Sequence, residues 1–460
     1  MKLETLQLEN FRCFARLELK LHKKLTVLVA ENGQGKSTLL DAIRIALWPY
    51  VSSFDLARNA FNDPGNAIAI DDVRLLRMES EDMVRQLPTR ILMTGDFGAG
   101  AGKTWVRYRD SEAKATKTKD DGDTSFMRQF STAIQDQIRD PEKAPLDLPV
   151  FGYYGTGRLW AQKRLTENLK GKDDTLENDF YVRTFAYLNC LDPASSYKHF
   201  KEWFIWAFQS YREQQIKQLE QRISQEDLGT AQERVQVVQQ AIDCFLLPAT
   251  GWQLLEYSVS YDKSLVLHHD QYGTMEVDLL SDGIRSVLAM IGDIAYRCIK
   301  LNPHLGLEAA RQTEGVVLID EVDMHLHPRW QQVILGQLQQ AFPCVQFIVT
   351  THSPQVLTTV PSECIRILRD NKVYAAPPGT EGAEPERLLK QVLGLHEVRP
   401  PANVATQELK EYLALVELDQ WSSPRALELR QILDARYQGL EPALLDADLL
   451  IENRKWELGE

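Results

Sequence analysis

Residues 24–48 impose the strongest constraint on how this chain can fold. KLTVLVA (24–30) is a short, nearly unbroken apolar run, the pattern of a strand buried on both faces of a parallel sheet. ENGQGKST (31–38) comes next without a spacer. LLDAIRIALW (39–48) then repeats its apolar residues at helical spacing, and Pro49 reads as the end of that helix. A strand that turns on glycine and re-emerges as a helix sets a helix N-terminus at the carboxyl edge of a sheet, where backbone N–H groups and the helix dipole favour an anion. Residues 30–38 match the phosphate-binding loop at every defining position but the first, where Ala30 replaces glycine. A methyl is tolerable there while φ stays negative. Gly33 and Gly35 let backbone N–H groups curl around a β-phosphate, Lys36 reaches the β/γ oxygens, and Ser37 offers a hydroxyl to Mg²⁺. Asn32, Gln34 and Thr38 complete the candidate nucleotide contacts.

A second stretch, Gly98–Thr104, also ends in Gly-Lys-Thr. It is succeeded by WVRYRD, a strand pattern, so no helix terminus is available to face a phosphate. It is expected to be a hairpin turn.

Three further stretches carry chemistry. GVVLIDE (315–321) is an apolar strand ending in paired acids. Asp320 is placed to hold a Mg²⁺ water, and Glu321 to orient and polarise a water attacking a γ-phosphate. His352 comes after the next apolar strand, which should lie beside Asp320 in a parallel sheet, where active-site loops gather at the carboxyl ends. LSDGIRS (280–286) opens a helix, and Ser281 with Gly283 makes its N-terminus a candidate anion site as well as a capped start. His325 and His327 lack a third ligand at suitable spacing, so no transition-metal site is expected.

The length of 460 residues fits two to four domains of about 100–200 residues. Lys plus Arg number 52 against 65 Asp plus Glu, a net charge of −13. A whole-surface coat for nucleic acid or anionic lipid is thereby excluded, although a local basic groove is not. The six cysteines form no CxxC pair, and no signal peptide or long apolar run is present, so a soluble cytoplasmic protein is expected. Residues 1–174 read as the first part of an α/β head with a β-rich insertion, including a polar loop at 112–123. Residues 175–254 read as a projecting antiparallel helical arm, and 255–376 as the second part of the head. PPGTEGAEP (377–385) reads as a linker into a helical tail, so that 377–460 is a candidate partner-docking region.

LENFRCF (8–14), ENGQGKST, LSDGIRS, VVLIDEVDMHLHP (316–328) and TTHSP (350–354), in this order, resemble the ABC-type ATPase heads of the SMC, RecF and OLD proteins. The resemblance implies a P-loop head with a mixed, largely parallel sheet, and ATP with Mg²⁺ as cofactors. It implies a head-to-head dimer in which Ser281 and Gly283 complete the γ-phosphate site of the opposite subunit. It also makes Arg12 the N-terminal arginine that reaches nucleotide phosphates, while the glutamine loop of such heads is not placed. The arm is far too short for an SMC coiled coil. Together with LPVFGYYGTGRLW (148–160) and LLKQVLGLHEVRPP (388–401), it is closer to the PtuA family, the ATPase subunits of Septu anti-phage systems, some of which accompany retrons. That resemblance implies an HNH nuclease partner of the PtuB type, with a retron reverse transcriptase and its msDNA where a retron is associated, and DNA met through the assembly.

OLD proteins carry their own Toprim nuclease, and its acids are only faintly echoed here. Glu417 lies in a helical run, Leu418 stands where glycine is needed, and Asp446 and Asp448 come too soon after it. No nuclease centre of the chain's own is expected. Two other readings remain open: a RecF-type repair ATPase acting directly on DNA, and an ATP-gated scaffold with little turnover.

Overall fold

The alternation in KLETLQLENF and FARLELK folds into an antiparallel hairpin, β1 (Lys2–Phe11) and β2 (Phe14–Lys20), with Leu8 opposite Leu17 and Leu6 opposite Leu19. β3 (Leu25–Val29) and α1 (Lys36–Val51) come next, the strand–loop–helix that the apolar pattern requires. The computed structural model describes all residues except 58–62, 79–81, 114–115, 159–180, 194–195, 221–224, 396 and 459–460. A short hairpin, β4 (Leu75–Arg77) and β5 (Met83–Arg85), precedes β6 (Thr89–Asp96) and β7 (Lys103–Arg109), which are joined through the glycine-rich turn.

Two expectations change here. Part of the stretch 112–123 is not loop: Lys119–Gly122 forms β8 and pairs with β7. Buried Arg107 on β7 holds Asp120 at 3.2 Å, an ion pair that draws an otherwise polar segment into the sheet. Positions 114–115 of that stretch lie outside the described residues. Nor does α1 stop at Pro49. The proline has no N–H to give the Ile45 carbonyl, but Arg107 Nη1 donates to that carbonyl at 3.0 Å, and the helix continues to Val51. Trp105 Nε1 donates to the Ala46 carbonyl at 2.9 Å, tying α1 to the antiparallel sheet β2-β1-β6-β7-β8.

After α2 (Thr124–Ile138) and β9 (Val150–Tyr154) come α3 (Ser196–Leu219) and α4 (Gln225–Thr250). These helices were expected to project. Instead they pack on each other and on α5 (Asp282–Leu301), because Phe200, Trp203, Phe204, Val238, Ile242 and Phe245 need cover and are buried. Among the described residues of the pair, Ile216 and Leu219 at the far end of α3 and Leu247 on α4 keep large apolar side chains in water. The expected boundary at 174/175 lies outside the described residues, and that at 254/255 falls inside β10 (Trp252–Ser258) of the antiparallel sheet it forms with β11 (Ser264–His269) and β12 (Gly273–Glu276).

β13 (Gly315–Ile319), α6 (Ile334–Ala341), β14 (Val345–Thr350), β15 (Ile365–Arg369) and β16 (Lys372–Ala375) complete the head. The central sheet runs β16-β15-β3-β14-β13-β9, parallel except for β16. Every residue of β3, β9, β13 and β14 is buried, which explains why their sequences do not alternate. Gln346 on β14 joins the two sheets: its amide accepts from Leu3 N and donates to Leu3 O, each at 2.8 Å.

The chain divides into the units Met1–Leu388 and Leu389–Glu460. The division lies beyond the 377–385 stretch expected as a linker. Thr380 is fully buried there, its hydroxyl donating to the Val360 carbonyl, so this segment is part of the head. The second unit contains α7 (Val404–Glu417), α8 (Pro424–Tyr437) and α9 (Pro442–Leu458), built on a small core of Leu409, Tyr412, Val416, Leu429, Leu433 and Leu444.

Candidate nucleotide site

Because β3, β14, β13 and β9 are parallel neighbours, the residues after each strand emerge along one edge of the sheet. Those residues are the loop 30–38, His352, Asp320 with Glu321, and Gly155. In the loop, Gly33 and Gly35 have φ of 82° and 92°, values that favour glycine, while Ala30 is not in the left-handed region. A side chain at Gly35 would also strike the Phe14 ring at 2.6 Å, so the turn between β1 and β2 packs directly beneath the loop. Glu31, Asn32 and Gly33 are exposed, and Gln34 and Thr38 half-buried.

Lys36 is buried, and its Nζ donates to the Ala30 carbonyl at 2.9 Å and to the Glu31 carbonyl at 3.3 Å. Burial lowers its proton affinity, while Asp320, Glu321 and Asp323 pull the other way. Ser37 Oγ donates to Asp320 Oδ2 at 2.8 Å, joining the loop to the acidic strand end. Thr350, the last residue of β14, stands between these strands. Its hydroxyl donates to Asp320 Oδ1 at 2.6 Å and accepts the Glu321 N–H at 2.7 Å. Asp320 N–H is held in turn by the Tyr154 carbonyl at the end of β9. Glu321 has φ 48°, a sparsely populated conformation for glutamate and a cost retained where the surrounding bonds fix it.

The set fits a Mg²⁺–nucleotide. Ser37 and Asp320, already bonded to each other, would hold the ion, which supplies charge neutralisation at the phosphates. The loop 32–38 would hold the phosphates themselves. His352 is coupled to the same group. Its pKa is lowered by burial and by Lys36, against the opposing pull of Asp323, Glu321 and Asp320, which leaves the ring neutral near pH 7. Thr351 Oγ1 donates to Asp323 Oδ1 at 2.6 Å, so the segment 350–353 braces both acidic positions.

The Arg12 guanidinium bonds Asp41 at 2.7 Å through Nη1 and Asp72 at 2.8 Å through Nε, and is about one third exposed. Tyr153 donates to the other oxygen of Asp41 at 3.1 Å. Ser281 caps the start of α5 by position, without a side-chain hydrogen bond to the helix. Gly283 packs on the turn after β13, where a Cβ would lie 2.7 Å from the His325 carbonyl oxygen, so its glycine has a reason within this chain. His327 accepts from Arg329 N and caps the short helix Pro328–Gln331. In the second unit, Asp448 is bonded by Arg430 and Asp419 by Arg454.

Sequence reasoning did not assign Thr350, Asp323, Asp41, Tyr153 or Tyr154. Of these, Thr350 and Asp323 lie inside motifs already singled out, TTHSP and VVLIDEVDMHLHP, where a polar residue beside an apolar strand end was the available signal.

A model of the AAA domain family matches residues 5–237, just over half of the chain. The chain belongs to the AAA domain family. A second AAA domain model matches residues 166–358. The head is of the ABC type of the SMC, RecF and OLD group, with similarity to Septu PtuA. The protein named Retron Ec83 probable ATPase, from Escherichia coli, is 27% identical across 99% of this chain and 88% of its own length. Septu protein PtuA from Bacillus thuringiensis is also 27% identical, over 50% of this chain and 56% of its own. Among solved structures, an SMC head bound to the C-winged helix domain of ScpA aligns at a TM-score of 0.48 with 15% identity, covering 82% of this chain and 98% of that one.

Proposed function

We propose that this chain is a Mg²⁺-dependent ATPase whose nucleotide-driven head-to-head dimer controls a separate HNH nuclease in anti-phage defence. The observation that carries the ATPase reading is the 2.8 Å bond from Ser37 Oγ to Asp320 Oδ2, with Lys36, Thr350 and Glu321 gathered around it. In this reading Lys36 binds the β/γ oxygens, Glu321 orients the attacking water and accepts its proton, and neutral His352 hydrogen-bonds at the γ-phosphate. Ser281 and Gly283 act on the nucleotide of a second copy. The relatives support the defence setting, since their names place them in retrons and Septu systems. No helix among the described residues is long and apolar enough to cross a membrane.

The test first looks for an HNH protein encoded beside the gene and then co-purifies the chain with it; the lack of such a neighbour counts against the partner reading. DNA cleavage by that complex should change between ATP and no nucleotide, and the change should vanish in Lys36→Ala. Ser281→Arg should prevent ATP-dependent dimerisation in light scattering while a single head still binds nucleotide. Cleavage indifferent to ATP sinks the regulatory reading, and absent turnover by the wild-type chain sinks the enzymatic one.

A further inference from the structure

IGDIAYRC (291–298) sets Asp293 and Arg297 one turn apart on α5, among the buried apolar residues Ile291, Ile294 and Ala295. The two are 0% and 1% exposed, and Arg297 Nε donates to Asp293 Oδ2 at 2.7 Å. A charge pair taken out of water is a poor source of stability, because desolvation offsets the attraction and apolar residues of similar volume do as well. An orphaned oxygen adds to that cost. Asp293 Oδ2 takes two bonds, while Oδ1 is buried with no hydrogen-bond partner among the described residues. Stability does not account for this pair. Its position between elements does.

The second bond to Asp293 Oδ2 comes from the Tyr154 hydroxyl, at 2.8 Å. Tyr154 is the last residue of β9, and its own carbonyl accepts the Asp320 N–H at 2.8 Å. One residue is therefore bonded to the acid of the nucleotide site through its backbone and to α5 through its side chain. Arg297 Nη1 reaches the carbonyls of Ala186 and Leu188, in the segment that runs along the outer edge of β9, where Cys190 O accepts from Tyr153 N at 2.9 Å. Near its start α5 meets the acidic strand end again, because Gly283 packs on the His325 carbonyl in the turn after β13. From residue 283 to 293 the helix advances about 15 Å as a stiff rod. A displacement of Asp320 must either carry α5 with it or break the Tyr154 bond.

We propose that Tyr154, Asp293 and Arg297 are positioning residues that couple Asp320 to the start of α5, so that occupancy of the nucleotide site decides how Ser281 and Gly283 are presented. The proposal rests on the reading in which those two residues act on the nucleotide of a second copy, and it supplies the path within one chain that makes their face ready. Tyr154 is 1% exposed and bonded at both ends, so removal of its hydroxyl is enough to uncouple them.

The test is hydrogen exchange on the full chain carrying Ser281→Arg, which keeps heads single so that contact with a second copy does not protect α5. Addition of Mg²⁺ and ATP to this parent should change exchange both at 320–323 and in the first turns of α5. With Tyr154→Phe added, the change at 320–323 should remain, while that in α5 should fall about tenfold, the effect of losing one hydrogen bond to a carboxylate. Asp293→Leu with Arg297→Met removes the pair at similar volume; it should melt at or above the parent temperature and lose the α5 response equally. A merely structural pair gives the opposite, a lower melting point with the response intact. In chains that keep Ser281, Tyr154→Phe should lower kcat about tenfold and leave KM for ATP within about twofold. An α5 response that is absent from the parent or survives Tyr154→Phe, or an unchanged kcat, overturns the coupling and leaves the ATPase reading in place. Exchange at 320–323 that ignores ATP in the parent overturns the ATPase reading and the coupling with it. Should the double variant misfold, Tyr154→Phe decides alone.

Discussion

Two turns in this chain end in glycine, lysine and a hydroxyl residue, and they use those residues in different ways. In the loop 30–38 the chain passes into α1, Lys36 Nζ bonds the Ala30 and Glu31 carbonyls, and Ser37 reaches Asp320 on another strand. In Gly98–Thr104 the chain passes into β7. There the N–H groups of Gly98 and Gly100 are already occupied by Asp96 Oδ1, at 2.7 and 3.1 Å. Lys103 Nζ lies 5.3 Å from the centre of the Phe126 ring, and Thr104 bonds Thr94 across the hairpin. A carboxylate supplied from within the turn satisfies the donors that an incoming phosphate would need. A binding loop is separated from a bend by the element after the glycines and by the group already bonded to their N–H.

The comparison breaks most directly at the lysines. Lys36→Ala should weaken ATP binding about a hundredfold or more, since it removes a charge-assisted contact from a water-poor site, whereas Lys103→Ala should stay within about twofold. Isothermal titration with ATP and Mg²⁺ measures both, and equal losses would refute the distinction. Glu321→Gln should keep ATP binding and lower phosphate release by about 10²–10⁴-fold. Undiminished release would remove Glu321 from the chemistry.

Each turn's identity was legible in the sequence because the deciding information is local: apolar run, glycines and the period of the next element. The same holds for the acidic strand end and for most of the strands. The illegible part depends on strands distant in sequence. Thr350 matters because β14 lies between β3 and β13, and the Ser37–Asp320 bond spans 283 residues. The ion pairs of Arg12 with Asp41 and Asp72 are likewise invisible in the motif around it, because both acids come from later segments. Pro49 reads as a stop, yet Arg107 from another strand supplies the donor that the proline lacks. The aromatic face of α3 is visible as a pattern, but the helix that covers it is not.

The glycines themselves sharpen the contrast. Gly35→Ala must place a methyl 2.6 Å from Phe14 Cζ at φ 92°, so overpacking adds to backbone strain, and a loss of about 2–4 kcal/mol is expected. Gly100 has φ 99° but nothing within 4 Å, so alanine there should cost only the backbone share, about 1–2 kcal/mol. Urea midpoints of the two variants compare them, and a reversed order would mean that the loop 30–38 tolerates rearrangement. Thr350→Val removes one donor and one acceptor at nearly constant shape. It should cost about 1–2 kcal/mol and slow turnover, with Thr350→Ser restoring both.

The smallest effect is the most specific to the true loop. Lys36 is one of the two influences that lower the pKa of His352, after burial, while the neighbouring acids oppose it. In the window just below the ordinary histidine value of about 6.5, the unfolded chain therefore binds more protons at this position than the folded one. Stability should rise with pH through that window and fall as acid is added, and His352→Gln should flatten this part of the profile. Because the ring is only partly buried, the change in stability is small, and the titration itself is the better reading. Tracked by the imidazole NMR signal, the His352 midpoint should move upward in Lys36→Ala, because a nearby positive charge has been removed. It should not move in Lys103→Ala. A midpoint that ignores Lys36 would mean that the loop lysine and the histidine do not share a field, and that the edge of the sheet is a row of neighbours rather than one electrostatic site.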